Sequence, residues 1–107
     1  MFFEQHFEWR KKEDTPIIFE DFDFLKFNEV QAVQLLDSNV DEVVEWCGGV
    51  IIPEFDPFNQ GEKQMGINLS TTLGMERAIR GFMIVKHDLG FSVVGPDFFN
   101  AHFEPKT

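Results

Sequence analysis

A chain of 107 residues with 43% hydrophobic content has the apolar material for one core and no length for a second domain. Its net charge of −10 argues against wrapping a nucleic-acid backbone, which needs clustered Lys and Arg. It has no run of about eighteen apolar residues to cross a membrane, and its single Cys cannot form an internal disulfide.

Fourteen Phe and two Trp occur with no Tyr, so nearly all the aromatic surface lacks a polar handle and much of it must be covered by the core or by a partner. Residues 1–27 hold seven acids and four bases, residues 28–62 eight acids and no base, and residues 63–107 four acids and five bases. Acidity is thus concentrated in the middle third, where a solvated face is the ordinary reading and a functional acidic surface the sharper one.

Residues 1–27 read as an N-terminal aromatic and acidic arm or edge strand, and residues 28–107 as a single domain. Met1–Arg10 (MFFEQHFEWR) carries acids where a secretory signal needs a basic start, which predicts a cytoplasmic protein. In the segment from Ile17, Phe22 and Phe24 alternate with Asp21 and Asp23, as in a strand with one wet face. Val30–Leu36 places apolar residues on both sides, the pattern of a central strand. A helix over about 38–47 follows, with Ser38 as N-cap, Val40, Val43, Val44 and Cys47 on one stripe, and Gly48 and Gly49 as the stop. Val50–Ile52 makes a short strand, and residues 53–64 (PEFDPFNQGEKQ) a long loop. Met65–Thr71 and Ala78–Lys86 read as strands, the latter with a bulge or close approach at Gly81. A tight turn at His87–Gly90 leads into Phe91–Val94 and completes a hairpin, and Pro96 opens a short C-terminal helical turn. The class is α+β: a small, mostly antiparallel sheet packed against one main helix.

The chain contains no GxSxG, HExxH, P-loop, GxGxxG or CxxC pattern, so no catalytic residue, metal ligand or cofactor is assigned, and the expectation is a protein that is not an enzyme. His6, His87 and His102 lack a His or Cys at ligand spacing. An assembled acid and base pair at His87 and Asp88 is the weakest reading, because adjacent turn residues diverge. Cys47 ends the apolar stripe and reads as a small buried hydrophobe. Trp46, one step off the stripe, suits the core border or a ligand face equally. Beyond residues 1–27, positive charge gathers at Arg77, Arg80, Lys86 and His87.

The stretches Gln31–Gly49 (QAVQLLDSNVDEVVEWCGG) and Gly81–Pro105 (GFMIVKHDLGFSVVGPDFFNAHFEP) resemble a family of small uncharacterised proteins of phages and prophages of Gram-positive bacteria, notably actinobacteria. Members share an EAVQ strand, a helix ending in WCGG, a GDWIV strand, a GxFxVVxPxxF hairpin and a terminal Y/F-E-P. The likeness spans residues 28–105 around a variable loop; Phe82 stands where the family tends to have Asp, and Phe103 where it tends to have Tyr. It implies a phage origin and an accessory role in the host cytoplasm, and no reaction.

Two functions compete. One is binding, and so inhibiting or modulating, a host defence protein. Glu42, Glu45, Glu54, Asp56 and Glu62 would then act as an acidic surface imitating DNA phosphates, and Phe55 and Phe58, whose ordinary reading is to pack the loop down, as exposed loop anchors. The other is a small-ligand module that sequesters a nucleotide-like signal, with Arg77, Arg80 or Lys86 on phosphate and Trp46 stacking on the base. Neither reading calls for a membrane or direct nucleic-acid contact, and the N-terminal arm is a means of homo-oligomer exchange.

Overall fold

The computed structural model describes residues 8–12, 23–55 and 64–106. Among the described residues eight strands form two antiparallel sheets, accompanied by two α-helices, which is the α+β class expected. The larger sheet takes the order β7-β6-β2-β1-β8, from Gly90–Val94, Met83–His87, Glu29–Gln34, Glu8–Lys11 and Phe103–Pro105. The smaller takes the order β3-β4-β5, from Val50–Phe55, Gln64–Thr71 and Gly74–Ile79.

Strand β2 lies third of five, as its two-sided apolar pattern requires. On one face Val30 and Ala32 join Trp9, Met83, Val85 and Val94 in a core roofed by Phe24, Phe99 and Phe103. Phe99 stacks on Phe103 at 5.0 Å and meets Trp9 edge-on at 4.9 Å. On the other face Val33, Leu35 and Ile84 pack against Val43 and Cys47 of the main helix and against Ile67, Leu69 and Ala78 of the smaller sheet. Fully buried side chains of this size stabilise by about 1.5–3 kcal/mol each, so two separate cores meet at the β2–β6 pair.

Helix α1 spans Val40–Cys47, and its stripe turns inward as its spacing predicts. Its N-cap is Asn39, not Ser38, and Asn39 spends its side chain elsewhere. The Asn39 Oδ1 accepts from the Leu36 N–H at 2.8 Å and Nδ2 donates to the Gln34 carbonyl at 2.9 Å, locking the corner where β2 leaves the sheet. At the other end Gly48 takes φ 70, the left-handed conformation that closes a helix cheaply only in glycine.

Several expectations are corrected. Residues 8–11 are neither arm nor edge: β1 pairs with β2 on one side and β8 on the other, because Trp9 is needed in the core. Residues 23–26 form a 3₁₀ turn (Asp23–Lys26) rather than a strand, which drops Phe24 into the core, and residues 13–22 lie outside the described residues. The segment Ala78–Lys86 is two strands in different sheets: β5 ends at Ile79, and the chain turns at Arg80–Gly81, where Gly81 has φ 98. The turn is held to the end of β2, since the Gly81 N–H donates to the Leu35 carbonyl at 2.7 Å and the Leu35 N–H to that of Phe82 at 2.8 Å. The loop assigned to 53–64 gives up both ends to strands, as β3 runs through Phe55 and β4 starts at Gln64. After α2 (Pro96–His102) the chain adds β8 where only an end was expected.

Candidate functional site

The β2–β6 ladder runs from Gln34↔Met83 to Gln31↔Lys86 and stops. Strand β2 continues to Glu29 against β1, while β6 continues to His87 against β7. The two strands therefore part, and a cleft of about 330 Å³ opens in the fork. Glu29, Val30 and Gln31 form one wall and Lys86, His87 and Asp88 the other; Glu8 and Trp9 of β1, with Lys106 just past β8, complete it.

Register fixes which groups face the cleft together. Glu8 is opposite Gln31, and Gln31 opposite Lys86, so these three stand in one row on one face across three strands. Beside them Lys106 Nζ pairs with Glu29 Oε1 at 2.7 Å, and that bond, with added attraction from Glu8, holds the Lys106 ammonium above its ordinary pKa. Arg10 and Glu104 pair at 2.8 Å farther down the same sheet.

His87 is buried and has both ring nitrogens engaged. The Leu89 N–H donates to Nδ1 at 3.2 Å, which leaves the hydrogen on Nε2 to donate to Ser92 Oγ at 2.9 Å. Phe27 stacks on the ring at 5.2 Å. Acid–base service with Asp88 would first have to break one of these bonds. His102 donates Nδ1–H to the Phe98 carbonyl at 2.9 Å, and His6 lies outside the described residues. Among the described residues no three His, Cys, Asp or Glu are placed to hold a metal ion, and no helix is long and apolar enough to cross a membrane. Cys47 is buried, and burial pushes its thiol pKa up despite opposing backbone hydrogen bonds at Gly49 and at Cys47 itself.

Of the residues singled out for an acidic surface, Glu42 and Glu45 are the two whose side chains the structure describes. Glu45 is exposed on α1, whereas Glu42 is half-buried with Oε2 cut off from solvent and without a hydrogen-bond partner. Glu54 and Phe55 lie on β3, and Asp56, Phe58 and Glu62 lie outside the described residues. Asp37, also in the acidic third, is claimed by Arg80 at 2.8 Å. Of the four residues proposed for a nucleotide, two converge on one ring: Trp46 meets Phe91 edge-on at 5.4 Å, and Lys86 Nζ stands 5.9 Å from the centroid of Phe91. Arg77 is on β5 of the other sheet, opposite Asn68, and Arg80 is in the turn that follows.

Sequence reasoning missed a second surface. The Thr72 N–H at the tip of the β4–β5 hairpin donates to the Phe91 carbonyl at 3.0 Å, docking that tip beside the β6–β7 turn. Leu73, Met75 and Leu89 on these two tips are 69%, 71% and 58% exposed. Three large apolar residues in turn regions were the available signal; what hid them was that the two hairpins meet only in the fold. Comparison with protein-family models, curated proteins and solved structures finds no match.

Proposed function

We propose that the protein works as a non-catalytic phage accessory factor that binds a host protein and modulates it, with the joined hairpin tips as the contact surface. The observation that carries this reading is the exposure of Leu73, Met75 and Leu89 on two tips tied together by the Thr72–Phe91 hydrogen bond. Exposed apolar groups on a rigid support gain by desolvation and have little conformational freedom to lose on binding. The exposed carboxylate of Glu45 supplies the acidic part of the reading and serves orientation and encounter rate.

The test compares immobilised wild-type protein with a Leu73→Ser, Leu89→Ser double variant in host lysate. A host protein retained by the first and released by the second supports the reading. Equal retention on both, or retention on neither, removes the tips from the account. Glu45→Lys should slow association with that protein while leaving its dissociation nearly unchanged.

A further inference from the structure

The cleft in the β2–β6 fork carries a row of three polar side chains, of which only Lys86 touches a core-bordering group, its Nζ standing 5.9 Å from the centroid of Phe91. Glu8, Gln31 and Lys86 are successive register partners, which puts a carboxylate, a primary amide and an ammonium in line across three strands, about 10 Å from first to last. Among the described residues the ion pairs are Arg10–Glu104, Arg80–Asp37 and Lys106–Glu29, so Glu8 and Lys86 do not neutralise each other there. Of the other polar groups of the cleft, both His87 nitrogens are engaged, the Trp9 indole N–H donates to the Ala32 carbonyl, and Lys106 is held by Glu29, while the exposed Asp88 adds a second carboxylate to the wall.

A ligand that complements this row carries an ammonium, a central amide and a carboxylate in sequence. We propose that the cleft binds a small zwitterion of that kind, a dipeptide, with its ammonium at Glu8, its peptide group at Gln31 and its carboxylate at Lys86. A simple cation would meet the Lys86 ammonium, and a simple anion would meet Glu8 and Asp88 on a chain of net charge −10. The volume of about 330 Å³ is at the small end of the range for small-molecule sites, which suits two residues rather than a long peptide. This site is separate from the hairpin-tip surface, and either can fail without the other.

The experiment is an NMR titration of the ¹⁵N-labelled full chain with alanylalanine, its N-acetyl form, its C-terminal amide, putrescine and inorganic phosphate. Alanylalanine should shift the amides of Glu8, Gln31 and Lys86 together. Blocking either end, or replacing Glu8→Gln or Lys86→Met, should weaken binding about fivefold, the scale of one exposed ion pair. Equal binding of the blocked forms, stronger binding of putrescine or phosphate, or no shift at those three amides would each overturn the proposal. The blocked ligands need only wild-type protein, so the result stands even if a variant folds poorly.

Discussion

The indole Nε1–H of Trp9 donates to the carbonyl of Ala32 at 3.1 Å, a buried bond across 23 positions of chain that fixes β1 inside the sheet. Replacing Trp9→Phe keeps most of the apolar volume but orphans that carbonyl, and should cost about 1–3 kcal/mol. Trp9→Ala also empties the space against Phe99 and should cost about 3–5 kcal/mol. Urea unfolding measures both; a Trp9→Ala midpoint close to wild type would refute the interior placement of β1.

Asn39→Ala removes the partners of both the Leu36 N–H and the Gln34 carbonyl at a corner where Asn39 is almost fully buried. Each orphaned group costs about 1–3 kcal/mol. Ser38→Ala, one residue earlier and exposed to solvent, should cost less than Asn39→Ala. Thermal unfolding of the two variants should therefore separate them clearly, with Asn39→Ala the lower.

The two glycines after α1 differ in kind. Gly48→Ala strains a left-handed residue in open space and should cost about 1 kcal/mol. A Cβ on Gly49 would stand 3.0 Å from the Asn68 carbonyl oxygen and 3.1 Å from Cys47 Sγ, and the backbone oxygen has little room to yield. Gly49→Ala should therefore be the more damaging, by about 1–3 kcal/mol of overpacking. The reverse order would mean that the helix end and β4 are farther apart than described.

Burial raises the Cys47 pKa above the ordinary 9.0, so the folded state keeps a proton that the unfolded chain surrenders first. This contribution is fully present below pH 9 and is lost as pH rises from there toward the folded value. Cys47→Ala should lose less stability than wild type over that alkaline window, whatever its offset at neutral pH. Parallel pH profiles of unfolding free energy check the difference in slope. A thiol reagent at pH 8 should label the folded protein far more slowly than the urea-unfolded chain.

The parts legible in the sequence are those whose signal is local. The stripe Val40, Val43, Val44 and Cys47 announces α1, the two-sided β2 announces a central strand, and His87–Gly90 announces its hairpin. The sheet change at Gly81 was hidden because AIRGFMIVK reads as one apolar run, although its halves serve different sheets. Strand β1 was hidden because four residues with one buried side chain give no period. The cleft could not be read at all: its row draws Glu8, Gln31 and Lys86 from three distant places, and only the register joins them. The engagement of Arg80, a candidate for phosphate in the sequence, was hidden for the same reason, since its partner Asp37 is 43 positions away.

Because β1 is closed on its outer side by β8, with Arg10 and Glu104 94 positions apart in the chain, the larger sheet cannot be completed early in synthesis. A growing chain must hold β1 with one flank bare until β8 emerges from the ribosome. A ribosome-stalled chain lacking β8 should therefore present Trp9 to proteases and to chaperones, and the finished protein should withdraw it.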